Sequence, residues 1–319
     1  MGHHDSRHTA KLIAAFAAIY LIWGSTYLGI RIAIESMPPL LMMGARNFLA
    51  GALLYGWMRF RGAPAPDRGH WGAALTTGLM LFLVDHGALA WAEQRVPSGL
   101  AALLSATLPF SMVLIARALG RETKLGGRVL GGLFAGLSGV ALLVGPDALG
   151  HGAPTDIVGC GAILLGTIFW SAGSIYGRVV KLPSSAALSA GMQMMAGGGA
   201  LLCAGLAFGE AAQFHAAEVT MRSLLAFGYL IVFGSVVAFT AYIWLLGVIS
   251  PSRVATYAYV NPIVALLLGW ALAGEPMGLR TWVAAAIILA GVALVNSRRS
   301  DGQALPEREA VSAAPSASK

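Results

Sequence analysis

Apolar residues run in blocks of about twenty along this chain, each long enough to cross a hydrocarbon layer as a helix. Ten such runs can be drawn, at about 12–30, 39–58, 71–90, 98–118, 127–145, 156–177, 186–207, 223–246, 252–272 and 279–296. Connections of mostly 5–14 residues join them and leave no room for a separate soluble domain. Three runs are interrupted by polar or ionisable groups: Arg46 and Asn47 in the second, Asp85 and His86 in the third, Asn261 beside Pro262 in the ninth. The pattern predicts an all-α polytopic membrane protein with ten transmembrane helices.

The residues that punctuate these runs repeat in order. Pro97-Ser98 opens a run containing Pro109 and is followed by Glu122, while Pro251-Ser252 opens a run containing Pro262 and is followed by Glu275; the Pro-to-Glu spacing is 13 residues both times. Upstream, Trp23-Gly24-Ser25-Thr26-Tyr27 precedes the first copy and Trp170 through Tyr176 precedes the second. Internal repeats decide an architecture before any other feature does. The expected division is an N-terminal tail (1–11), a first five-helix repeat (12–145), a connecting loop (146–155), a second five-helix repeat (156–296) and a C-terminal tail (297–319). That last stretch is rich in Ser, Asp, Pro, Glu and Ala and reads as disordered.

Composition removes the soluble classes. Hydrophobic residues make up 57% of the chain and charged ones only 11%, against about 25% charged in soluble proteins, so there is too little polar side chain to cover a wetted surface. The 41 glycines suit close helix contacts in a bilayer. Cys160 and Cys203 lie in apolar runs without a CxxC spacing, so no metal or cofactor is expected. The first apolar run lacks a following cleavage site and reads as a retained span. A net charge of +7 sits beside the spans rather than in a basic domain, which argues against nucleic acid as a partner.

Charge placement also gives an orientation. With the N-terminus cytoplasmic, sixteen of the 21 Lys and Arg fall on the cytoplasmic side, Arg31, Arg95, Arg222 and Arg280 fall on the other, and Arg46 lies within a span. Both termini are then cytoplasmic. Five spans per repeat is an odd number, so equivalent helices run in opposite directions, giving the inverted repeat of many secondary transporters. A membrane enzyme needs nucleophile, base or metal groups in larger supply than these spans hold, and a channel needs a filter or hydrophilic lining.

Candidate transport-path residues follow from polarity within apolar surroundings. Trp23 and Tyr27 stand in helix 1, with Gly24 allowing close approach, and Gly173 stands in the corresponding stretch of the second repeat. Pro109 and Pro262, inside their predicted helices, each free a carbonyl and bend the axis, and such carbonyls need an internal partner or a water-lined cavity. Thr107, Tyr257 and Asn261 therefore become central-cavity candidates. Gln193, set among methionines, and Tyr242 join them. Arg46 and Asp85 lie at matched depths of roughly 10 and 8 Å at 1.5 Å rise per residue, which predicts an ion pair, a site for a substrate carboxylate with Asp85 or His86 reporting protonation, or an Arg46 that snorkels outward. The glycine spacings 127/131 and 132/136 in helix 5 pack helix on helix or leave open a homodimer.

These residues resemble the drug/metabolite transporter superfamily, in the group with two EamA-type domains. The similarity rests on Trp23-Gly-Ser-Thr-Tyr27, the Arg46-bearing second helix, Pro97-Ser-Gly99, Pro109 through Glu122, Ser171 through Gly177 and Pro251 through Glu275, and it covers about 12–296. The resemblance implies a bacterial inner-membrane transporter, often an exporter of amino acids or other small metabolites. It also implies a cavity between helices 1–4 of one repeat and 6–9 of the other, with helices 5 and 10 peripheral. The small four-helix multidrug relatives use an acidic residue in their first helix; here that helix has none before Glu35. The expected partners are a small-molecule substrate, membrane lipids, and a proton or ion if transport is coupled. Efflux of an amino-acid-like compound by alternating access is the leading reading; drug efflux, uptake or exchange, and a nontransport scaffold are the alternatives.

Overall fold

The computed structural model describes residues 2–119, 127–148, 156–249, 254 and 256–302. Among the described residues every regular element is a helix. The chain enters as α1 (Gly2–Ala17), passes through a π turn (Ala18–Ile22) and continues as α2 (Trp23–Ala33). α3 (Pro39–Phe60) follows, then α4 (Arg68–Gly78), a π segment (Leu79–His86) and α5 (Gly87–Ala92) as one rod. α6 (Ser98–Ser105), α7 (Leu108–Ala118) and α8 (Gly127–Ala148) complete the first half. The second half contains α9 (Ile157–Gly177), α10 (Ala186–Ala207), the short α11 (Glu210–Gln213), then α12 (Met221–Tyr229), a π segment (Leu230–Val237) and α13 (Ala238–Val248) in one rod, α14 (Tyr257–Ala273) and α15 (Leu279–Gly302).

Six of these helical stretches are long and apolar enough to cross a membrane: His8–Ala33, Arg68–Ala92, Ser98–Ala118, Ile157–Gly177, Ala186–Ala207 and Met221–Tyr242. Shorter apolar helices cover Gly127–Leu143, Val260–Ala273 and Leu279–Leu294. Large apolar side chains such as Phe134, Leu225 and Leu272 are exposed, a surface suited to lipid and costly in water.

Local chemistry sets the helix ends. Asp67, Asp156, Ser185 and Thr220 each accept a hydrogen bond from a backbone N–H in the first turn they precede, the usual way of satisfying an orphan donor. Gly209 and Gly274 close turns with φ of 79° and 65°, a backbone region that glycine enters without a Cβ clash.

Glycines let helix backbones meet directly. α3 makes its most extensive contact with α10. A Cβ on Gly51 would lie 2.7 Å from the Gly191 carbonyl oxygen, and one on Gly191 would lie 2.9 Å from the Tyr55 nitrogen. Backbones that near gain dispersion contacts that larger side chains would prevent. α8 and α15 pack chiefly on each other, around buried Val129, Leu133, Ala284 and Ile288, and stand to one side of the remaining helices.

Three expectations need adjustment. Pro109 does not bend a continuous helix: the chain breaks at Ala106–Thr107 and Pro109 sits in the first turn of α7, where its missing N–H is harmless. Pro262 does lie inside α14. Helix extends into both expected tails, starting at Gly2 and ending at Gly302, and α8 runs to Ala148, into the expected connecting loop. Glu122, Pro251 and Ser252 fall outside the described residues.

Candidate functional site

Arg46, expected within a span, is buried by α3 against the π segment Leu230–Val237. Its Nε donates to Ser235 Oγ at 3.3 Å and its Nη1 lies 3.6 Å from Met43 Sδ. A Cβ on Gly234 would come 3.3 Å from Arg46 Nη2, so the glycine leaves room for the guanidinium. On the next residue, the fully buried Asn47 places its amide atoms 3.1 and 3.3 Å from His86 Nδ1, the imidazole tautomer deciding which of the two bonds it. His86 stacks on Trp170 at 5.6 Å with 19° between planes and meets the edge of Phe82 at 5.0 Å. Asp85 turns instead to α9, where a Cβ on Gly166 would sit 2.8 Å from its Oδ1. Tyr27 is half-buried beside Ser105, with Asp85 and Glu93 as electrostatic neighbours.

The cluster thus joins the two halves of the chain: Arg46 reaches Ser235, His86 reaches Trp170, Asp85 reaches Gly166. Among the described residues Arg46 and Asp85 form no ion pair, so the expected pairing is replaced by separate cross-half contacts. Charged groups buried in this way are costly unless hydrogen-bonded or paired.

A second group is aromatic. Trp23 Nε1 donates to the Gly234 carbonyl at 3.0 Å. Its ring lies 5.2 Å from Tyr242 and 5.0 Å from Tyr257, which are 6.1 Å apart. With its amide nitrogen turned toward them, Asn261 donates to the carbonyls of Tyr20, Tyr257 and Ile19 at 3.2, 3.2 and 3.3 Å. Two of those carbonyls belong to the π turn Ala18–Ile22, whose wider backbone needs such an outside partner.

The other candidates sit apart from both groups or are satisfied locally. Thr107 Oγ1 donates to the Leu104 carbonyl at 2.6 Å, and Gln193 Nε2 donates to Ser189 Oγ at 2.9 Å. Gly24 and Gly173 are close-approach points, with a Cβ meeting Val264 at 2.6 Å and Met80 at 2.9 Å. An open apolar groove of about 520 Å³ is lined by residues including Lys11, Val236, Thr240 and Trp244.

Three glutamates in the connections carry more structure than their positions advertise. Glu210 accepts from the backbone N–H groups of Leu40 and Leu41 at 3.1 and 2.8 Å, capping α3. Glu275 accepts from Ser98 N, Ser98 Oγ and Gly99 N at 2.7, 2.8 and 3.0 Å, capping α6. Both are carboxylates at the positive end of a helix dipole, and both reach from the second half to the first. Glu93, directly after α5, is fully buried, and neither carboxyl oxygen has a hydrogen-bond partner among the described residues. Glu93 and Glu210 fall in the connections between apolar runs, where no sequence pattern singles them out.

Comparison with known proteins follows the same division. The model of the EamA-like transporter family matches residues 10–145 and again 157–297. The chain is 39% identical over 290 residues to the uncharacterized inner membrane transporter YedA of Escherichia coli, covering 91% of this chain and 92% of that one. It is 26% identical over 255 residues to protein PecM of Dickeya dadantii, covering 78% and 80%. It is also 25% identical over 289 residues to the chloroplastic WAT1-related protein At3g02690 of Arabidopsis thaliana, covering 87% and 67%. A solved crystal structure shares the fold with a TM-score of 0.60 at 21% identity, over 92% of this chain and 99% of the other. Two copies of one family unit fill nearly the whole chain, and the chain belongs to the EamA-like transporter family as a membrane transporter rather than an enzyme.

Proposed function

We propose that this protein exports a small amphipathic or zwitterionic metabolite, such as an amino acid, by alternating access between two inverted five-helix repeats, 12–145 and 156–296. The observation that carries the reading is the polar cluster where the halves meet, in which the buried Arg46 and the half-buried Asp85 and His86 each contact the opposite half. Such an interface is where inverted-repeat transporters bind substrate. Arg46 would meet a carboxylate, Asp85 and Tyr27 a polar or cationic group, and the rings of Trp23, Trp170, Tyr242 and Tyr257 the apolar part.

Six long apolar helices, three shorter ones and the 22-residue α3 support a reading of ten spans. The charge bias supports cytoplasmic termini, and the inner membrane named for the YedA relative supports a bacterial inner membrane here. The face carrying Glu35, Glu93, Glu210 and Glu275 is then the outer one. Cysteines placed at Ala153 and Ala65 test this: the first should label from outside and the second from inside, and one compartment for both would refute the topology.

Function is tested by counterflow in proteoliposomes loaded in turn with amino acids, nucleosides and organic cations, with a pH gradient imposed in each direction. Counterflow of an amino acid that Arg46→Ala abolishes supports the reading. Counterflow of an organic cation that ignores Arg46→Ala would favour drug efflux.

A further inference from the structure

Glu93 is a carboxyl group sealed inside the protein without a hydrogen-bond donor on either oxygen among the described residues. The charged groups around it come from three elements: Arg31 on α2, whose guanidinium donates to the Glu93 main-chain carbonyl rather than to its side chain; Arg46 on α3; and Glu275 after α14. Tyr27 on α2 is its further titratable neighbour. An ionised carboxylate in that position would be desolvated and repelled by Glu275, which needs its own charge to hold three donors at the start of α6. Burial first, and the Glu275 charge second, push Glu93 well above the usual carboxylate range, against the opposing pull of Arg31 and Arg46.

We propose that Glu93 is the proton-binding site of this transporter, and that the Glu275 clamp on α6 stays closed while Glu93 holds its proton and opens when the proton leaves. The proposal rests on the alternating-access reading and adds the ligand that drives it. A proton is the one ligand that needs no added room beside a sealed carboxyl. When Glu93 gives its proton to water, its negative charge adds to that of Glu275, the repulsion drives Glu275 off Ser98 and Gly99, and the face they close is released. Rebinding a proton from that side removes the repulsion and lets the clamp reform. An exporter built this way releases substrate outward and takes a proton in to close.

The closed form raises the Glu93 value, so its advantage is fully present below the value Glu93 has in the open form and is lost as pH rises through the raised one.

The test is a distance measurement across the clamp. Spin labels go on cysteines at the exposed positions Gln94 and Gly278, in full-length protein with Cys160 and Cys203 replaced by Ala, reconstituted in nanodiscs. Raising pH from about 5 to about 9 should increase the long-distance population roughly five-fold or more in the wild type. Glu93→Gln, a neutral mimic of the protonated side chain, should hold the short distance throughout, and Glu275→Gln should show the long distance at every pH. If the wild type does not respond to pH, or Glu93→Gln titrates like the wild type, while Glu275→Gln still lengthens the distance, the proton site is refuted and alternating access survives. If Glu275→Gln leaves the distance short as well, the clamp and the alternation reading fall together.

Discussion

Replacing Gly78 by Ala tests whether the polar cluster depends on glycine contact between α4 and α10. A Cβ at Gly78 would lie 2.5 Å from the Gln193 carbonyl oxygen and 2.9 Å from the Gly197 nitrogen. Real Cβ atoms essentially never come within 3.0 Å, so the helices must part by at least 0.5 Å, the difference between 3.0 and 2.5 Å. Both facing atoms are backbone and cannot swing aside. Overpacking of this kind costs up to about 3 kcal/mol, and the gain from replacing a helical glycine offsets about 1 kcal/mol, which leaves a net loss of about 2 kcal/mol. Gly56 on α3 is the control: nothing lies within 4 Å of its Cβ position, so Gly56→Ala should stabilise by about 1 kcal/mol. Equilibrium unfolding in detergent micelles measures both. Gly78 immediately precedes the π segment that carries Asp85 and His86, so Gly78→Ala should also lower transport at matched incorporation. A Gly78→Ala protein as stable as Gly56→Ala would refute the close contact and, with it, the idea that α10 sets the position of Asp85.

Four other outcomes are expected. Arg46→Ala and Asp85→Ala should combine in a double-mutant cycle with a stability coupling below about 0.5 kcal/mol, because no direct pair joins them; strong coupling would restore the pair. Asn261→Ala should destabilise by about 1–3 kcal/mol by leaving buried carbonyls unpaired, whereas Tyr257→Phe should leave unfolding nearly unchanged and reduce flux. Glu210→Gln should cost about 0.5–2 kcal/mol by removing the charge that caps α3, read by the same unfolding assay. The exposed Asp67 carboxyl is held below its ordinary value by the His70 backbone N–H and by Lys181, so its contribution is present near neutral pH and lost as pH falls through that lowered value. Unfolding curves of wild type and Asp67→Asn should therefore converge in acid; a constant gap would assign the effect to another group.

The repeat and the membrane class were legible because they are written in one dimension, as run length and as the order Pro, Glu, Gly. Side-chain direction was not. Depth along a helix follows from residue count, and it put Arg46 and Asp85 level with each other. Their azimuths depend on the π segment at Leu79–His86, which adds a residue to the turn and carries Asp85 toward Gly166 while Arg46 faces Ser235. Hydropathy gives no sign of such an insertion. Glu275 stood out as a repeated residue, yet the bond to Ser98 spans 177 positions, too far for any local pattern. Glu93 was hidden for the opposite reason: polar residues after an apolar run read as solvated, and only the helices folded over it make it buried.

The caps on α3 and α6 also impose a schedule on synthesis. Ser98 and Gly99 emerge long before Glu275, which is made 177 residues after Ser98. At about 5–20 residues per second that interval is about 9–35 s. For all of it the start of α6 sits without the acceptor that finally holds its N–H groups. Leu40 and Leu41 wait in the same way for Glu210, 170 and 169 residues on. The first half therefore cannot reach its final form as it leaves the ribosome. It must be held at the membrane, with two helix ends bonded to water or to a chaperoning partner, until the loops of the second half arrive to close them.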